Sequence, residues 1–157
     1  MNFQISGLEP SQFEHLFNLG EQALAAEGVY RYRVTDTPGF PCRVSLVDAQ
    51  PGQTVLLMNY THLDTATPYR ASHAIFVEEN ARPAALAVDE VPDSIRCRLI
   101  SVRAFDTDGM MLDADVVEGT VLETAVQRMF ADTAVAYLHL HNAKRGCYAA
   151  RVDRCIE

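Results

Sequence analysis

Three stretches of the sequence hold more reactive side chains than packing requires. In Pro68-Tyr69-Arg70-Ala71-Ser72-His73-Ala74-Ile75, Arg70 offers a planar fork for a carboxylate or phosphate, Ser72 a hydroxyl and His73 an imidazole that can exchange protons. On an extended chain Arg70 and Ser72 share one face while His73 points to the other, so Ser72 and His73 are not a ready-made nucleophile and base. The same residues equally suit structural hydrogen bonding, with His73 as a satisfied core histidine.

The second stretch is His139-Leu140-His141-Asn142-Ala143-Lys144-Arg145-Gly146-Cys147-Tyr148. On a strand, His139 and His141 project from one face, a spacing that places two imidazoles on one metal ion. His62, His73 or Cys147 would then supply a third ligand. The bland alternative is a pair of histidines bonded to neighbours on a half-buried strand. Lys144 and Arg145 closely precede Cys147, and adjacent cations activate a thiol as a nucleophile. Gly146 permits close approach of a ligand to the backbone, and His73 or His141 would complete a Cys/His arrangement. Against this, free cysteine is among the most commonly buried residues. Cys42, in Pro41-Cys42-Arg43, repeats the idea more weakly.

The third stretch runs Asp106-Thr107-Asp108-Gly109-Met110-Met111-Leu112-Asp113-Ala114-Asp115 and superficially suggests calcium. Counting from Asp106, however, the twelfth residue is Val117 rather than glutamate, and the flanks read as strands. Asp108-Gly109 is better explained as a hairpin turn. Asp113 and Asp115 share a strand face and suit pairing with an arginine such as Arg103.

The elements that would carry these groups follow from hydrophobic period and punctuation. Phe3 to Ile5 alternates as a short strand. Pro10 opens a helix with Phe13, Leu16 and Phe17 on its apolar face, and Glu21 to Glu27 forms a second, closed by Gly28. Val29–Val34, Arg43–Val47, Thr54–Tyr60 and Ala74–Val77 read as strands, with irregular chain around Pro38 and Pro41 and a turn at Pro51-Gly52. Pro92 to Ile95 is one helical turn before a strand at Leu99 to Phe105, and Met110 to Val117 is the return strand of the hairpin. Thr120-Val121-Leu122-Glu123 is a capping box opening a helix to about Ala131. Val135–Leu140 and Cys147–Val152 complete the strands; a closing helix with Tyr148, Val152 and Ile156 at spacing four is the alternative for the last. The expected fold is α+β over one domain, residues 1–157: mainly antiparallel sheet with about three helices, two short ones near the N-terminus and one near residues 120–131.

Composition bounds the partners. The net charge of −8 disfavours nucleic acid and anionic membranes, whose binding needs clustered cations. Four of the thirteen cations nevertheless crowd the end of the chain, as Lys144, Arg145, Arg151 and Arg154. No start resembling a signal peptide and no apolar run long enough to span a bilayer is visible, and Cys42, Cys97, Cys147 and Cys155 are widely spaced. A cytoplasmic protein with reduced thiols is the expectation.

Four blocks carry a family resemblance: Pro38 to Leu46, Pro68 to Phe76, Ala104 to Val117, and His141 to Arg154. They resemble the bacterial domain-of-unknown-function 1203 family, across nearly the whole chain; Cys155-Ile156-Glu157 falls outside the pattern. The resemblance implies a small bacterial cytosolic protein with one domain per chain, and brings no activity, cofactor or catalytic residue with it.

The leading functional reading is a site for an anionic small molecule, with or without a reaction. Arg70, Ser72, Asn142, Lys144 and Arg145 bind the ligand, His73 and His141 serve as acid and base, and Cys147 is nucleophile or pocket wall. This reading assigns no residue to a metal, leaves the cofactor unknown, and requires the blocks at Arg70 and Cys147 to converge. One alternative is a non-enzymatic binding protein or homodimer exposing Phe13, Leu16, Phe17 or the late helix. The other is a metal protein built on His139 and His141.

Overall fold

The computed structural model describes residues 1–155. In chain order the elements are β1 (Phe3–Ser6), α1 (Glu21–Ala26), β2 (Tyr30–Arg33), β3 (Thr54–Leu63), β4 (Ala71–Glu78), α2 (Asp93–Arg96), β5 (Leu99–Phe105), β6 (Met111–Glu118), α3 (Leu122–Phe130), β7 (Tyr137–Asn142) and β8 (Tyr148–Arg154). The strands form a five-stranded sheet, β1-β8-β7-β5-β6, and a three-stranded sheet, β2-β3-β4. Every strand pair is antiparallel, so the α+β architecture read from the sequence holds. No helix among the described residues is long and apolar enough to cross a membrane.

Alternation decides which face of the large sheet does what. On β5, β7 and β8 one face presents Ile100, Val102, Ala104, Leu138, Leu140, Ala150 and Val152, all fully buried. Helix α3 covers that face with Leu122, Ala125, Val126, Met129 and Phe130, whose spacing makes a single buried stripe. Each large apolar side chain so buried stabilises the fold by about 1.5–3 kcal/mol. The opposite face carries Arg103, His139, His141 and Arg151, and it is there that polar chemistry is concentrated: Arg103, His139 and Arg151 are direct neighbours across β5, β7 and β8. A second core lies against the small sheet, where Phe13, Leu16 and Leu24 pack with Val44, Leu56, Met58, Ile75 and Val77. The apolar residues nominated for a dimer surface are therefore consumed internally: Phe13, Leu16, Leu122, Val126, Met129 and Phe130 are buried, and Phe17 is partly buried.

Several local expectations change. The stretch from Pro10 to Leu16 forms two short 3-10 turns rather than a helix, so α1 is the one α-helix near the N-terminus. Arg43–Val47 is no strand: Cys42, Arg43 and Val44 are all buried, Leu46 takes a left-handed φ of 55°, and the Leu46 amide bonds back to the Cys42 carbonyl at 3.0 Å. The apparent alternation belongs to a tight, largely buried turn from which Val47 emerges to solvent. The capping box at Thr120 does not form either. Gly119 packs so closely that a Cβ would lie 2.1 Å from the Ile95 carbonyl, the chain enters α3 through a 3-10 turn at Gly119–Val121, and Glu123 pairs with Arg96 of α2 instead. Asp113 and Asp115 pair with Arg128 of α3, not Arg103. The last segment is a strand; Ile156, which the helix alternative used, lies outside the described residues.

Candidate metal centre

Two irregularities in strand pairing aim side chains into one place. The β3–β4 register slips between Thr61 and Leu63, leaving His62 without a partner on β4. The β7–β8 register slips between Leu140 and His141, so Tyr148 comes opposite His141 while Ala149 is the extra residue. Bulges of this kind bend a strand and re-aim its side chains, and they are over-represented beside functional sites. Here they bring His62 from the small sheet over His139 and His141 of the large one.

The three imidazoles each offer a nitrogen, and those nitrogens lie within 4.8 Å of one another. Ring centroids are 4.8 Å apart for His62 and His141, 5.7 Å for His62 and His139, and 6.4 Å for His139 and His141. His139 is 3% exposed and His141 1%. Three of the ring nitrogens, His62 Nδ1, His139 Nδ1 and His141 Nε2, are buried with no hydrogen-bond partner among the described residues. Such orphans are rare in folded proteins, and each costs about 1–3 kcal/mol.

The tautomer of His141 follows from its neighbour. Its Nδ1 lies 2.9 Å from the Gly146 carbonyl. A carbonyl only accepts, so Nδ1–H donates and Nε2 of the neutral ring keeps its lone pair, the usual outer-shell arrangement of a ligating histidine. Gly146 adopts φ +76°, a conformation other residues rarely take, which sets its carbonyl in the β7–β8 turn.

Surroundings keep the rings neutral. Burial is the first cause of a depressed pKa in all three, bringing His62 to about 4 and His139 and His141 to about 3, and the Arg103 charge acts in the same direction. Tyr148 stacks on His62 with ring centroids 5.2 Å apart and planes 9° from parallel, and meets His139 and His141 edge-on. Phe105 and Tyr137 pack on the far side of His139. Arg103, next to His139 across β5, donates from Nε to Ser101 Oγ at 3.3 Å and has no carboxylate partner among the described residues. Burial lowers its pKa as well. Arg151, by contrast, is paired with Asp153 at 2.8 Å and lies over the Tyr137 ring.

The residues nominated from sequence separate into three places. His141 belongs to the histidine cluster, and His73 lies near enough for its charge to act on His62 and His141 without being one of the three. Asn142, Lys144, Arg145 and Cys147 line a cavity of about 590 Å³ that none of the clustered histidines lines. Arg70 and Ser72 are exposed and belong to neither the histidine cluster nor the cavity lining, and Arg70 pairs with Asp64 at 2.7 Å. The two blocks touch at one edge, where His73 Nε2 lies 3.8 Å from the place a Cβ on Gly146 would take, but Arg70, Ser72 and His73 do not line the cavity at Cys147. Of the three residues considered beside His139 and His141, His62 is the one that clusters with them. Tyr148 and Arg43 carry no functional signal in the sequence, because a lone tyrosine or arginine has no telling spacing, and Arg103 stands out there only as a partner for Asp113 and Asp115.

No curated protein and no solved structure matches the chain. A family model described as "Protein of unknown function (DUF1203)" does match, over residues 39–154. That span holds all three clustered histidines and the cavity residues from Gly39 onward, and the chain belongs to the DUF1203 family.

Proposed function

We propose that this is a metal-binding protein in which His62, His139 and His141 ligate one divalent transition-metal ion that keeps at least one coordination position open. The observation that carries the reading is the clustering of three histidines, each offering a nitrogen within 4.8 Å of the others and each holding a buried nitrogen without a partner among the described residues. A merely structural histidine cluster would satisfy those nitrogens with protein donors or ordered water. Zinc–imidazole bonds of about 2.0–2.1 Å place tetrahedral ligands roughly 3.4 Å apart. Ligation would require the nitrogens to close from their present spacing, within 4.8 Å, to that distance.

The donor set points to the class of ion. Imidazole nitrogens suit zinc, iron, copper and nickel, whereas magnesium and calcium take oxygen. Three neutral ligands leave the ion its full charge, and the unpaired Arg103 adds another cation beside it. The remaining position therefore favours an anion, either hydroxide or an oxyanion of a substrate. A zinc-like ion brings the pKa of bound water to about 7, which makes attack by metal-bound hydroxide the reaction class such a centre supports. Polyanionic partners are disfavoured by the net charge of −8.

Calorimetric titration of untagged, chelator-treated protein with zinc tests the reading. The expected result is one saturable site that His139→Gln weakens at least about a hundredfold, since it removes one of three ligands. Binding that His139→Gln and His141→Gln both leave unchanged would place the ion elsewhere and refute it.

A further inference from the structure

Arg43 is 2% exposed and forms part of the wall of the cavity at the β7–β8 turn. Its Nε donates to the Tyr148 carbonyl at 2.7 Å, Nη1 to the Pro41 carbonyl, and Nη2 to Cys147 Sγ at 3.1 Å. A guanidinium has five N–H groups. Three are used, none on a carboxylate, and two are left without an acceptor among the described residues. A buried cation without a carboxylate partner is costly, and Arg43 forms no ion pair among the described residues.

The rest of the lining repeats the shortage. Lys144 and Arg145 stand exposed at the rim, with no carboxylate within ion-pair distance among the described residues. Arg98, also in the lining, is already neutralised by Asp48 through bonds of 2.8 and 2.6 Å. Glu118 is the one carboxylate among the lining residues. Three uncompensated cations thus face one acid, on a chain whose net charge is −8. The other wall is apolar: the Phe40 and Phe76 rings lie 5.1 Å apart, beside Leu99. Cys147 Sγ stands between the Arg43 guanidinium and the Asn142 amide, which lies 3.5 Å away.

We infer that this cavity binds a small molecule bearing a carboxylate or phosphate on a flat apolar body. Arg43, Lys144 and Arg145 hold the anionic head, and Phe40 and Phe76 hold the body. The site shares no residue with the histidine cluster, so it stands or falls independently of the metal. Of the residues nominated from sequence for an anion, it keeps Asn142, Lys144 and Arg145 and replaces Arg70 with Arg43.

The test uses chelator-treated protein, with phenyl phosphate and benzoate as probes and phenol as the uncharged control, followed by nitrogen-15 NMR at the Arg43 Nε–H and the Asn142 amide. Saturable shifts at both, with slower alkylation of Cys147 by N-ethylmaleimide, are the expected result. A response to one probe alone keeps the site and fixes its head group. Removing buried Arg43 risks unfolding, so the exposed pair carries the comparison: the double variant Lys144→Ala, Arg145→Ala weakens binding about tenfold or more while the rest of its spectrum is unchanged. The inference is overturned by phenol binding as well as the anions, by no saturable shift at Arg43 with either probe, or by affinity that the double variant leaves intact.

Discussion

Acidification of the metal-free protein provides a quantitative check on the histidine cluster. In the unfolded chain each histidine titrates near pH 6.5, whereas folding holds His139 and His141 down to about 3 and His62 to about 4, chiefly through burial. A group whose pKa is depressed by folding contributes stability that is fully present above its unfolded pKa. That contribution is lost as pH falls toward the folded value. Between pH 7.5 and 5.5 the unfolded chain takes up nearly one proton per histidine and the folded chain almost none. Integration gives about 1.4 kcal/mol lost per group over that window, or about 3 kcal/mol for His139 and His141 together. His62 is only partly buried and better screened, so it adds less than about 1 kcal/mol. Ordinary carboxylates titrate lower, near pH 4, and contribute little in this range. Against a usual stability of about 5–15 kcal/mol the loss is large. Urea unfolding followed by circular dichroism at pH 7.5, 6.5 and 5.5, in the presence of chelator, measures it. The His139→Gln and His141→Gln variants should each flatten the dependence by about 1.4 kcal/mol. An unfolding free energy constant to within about 0.5 kcal/mol across the window would show that the rings are not held neutral, and would refute the reasoning.

Other expectations follow from the same geometry. Zinc at a hundred times its dissociation constant stabilises the folded chain by about 2.7 kcal/mol, readable as a rise in Tm that is lost in His62→Gln. Arg103→Met removes a like charge beside the ion, so zinc affinity rises in anion-free buffer while its enhancement by added acetate falls; titrations with and without acetate measure both. Gly146→Ala forces a left-handed residue at φ +76°, costing about 1–2 kcal/mol in urea melts. It also weakens zinc binding by disturbing the carbonyl that orients His141. Leu138→Ala, on the core face of the strand that carries the histidines, lowers stability by about 2–5 kcal/mol and leaves the metal stoichiometry unchanged.

Much of the fold was legible because period and punctuation agree in most elements. The hairpin at Asp108-Gly109, the strand at Leu99–Phe105 and the alternation Leu138-His139-Leu140-His141 each declare themselves locally. Arg43–Val47 misled because its alternation comes from a turn that buries Arg43, Val44 and Leu46 and turns Val47 out to solvent, not from a strand with one solvent face. The capping box failed for a tertiary reason, since the close contact of Gly119 with α2 fixes how the chain enters α3. The histidine pair on β7 could be read from spacing of two. Its partner could not be singled out, because His62 is joined to it only by the packing of one sheet over the other and by a register slip that no local pattern announces. Arg43 was hidden for a similar reason: its burial depends on carbonyls at Pro41 and Tyr148 that the fold, not the sequence neighbourhood, brings around it.

The most direct measurement of the central claim is anomalous diffraction from crystals grown with zinc. A single strong peak is expected about 2.1 Å from His62 Nδ1, His139 Nδ1 and His141 Nε2, the three nitrogens that otherwise lack partners. The account is contradicted if no peak lies between the three rings and their nitrogens are instead hydrogen-bonded to protein or ordered water.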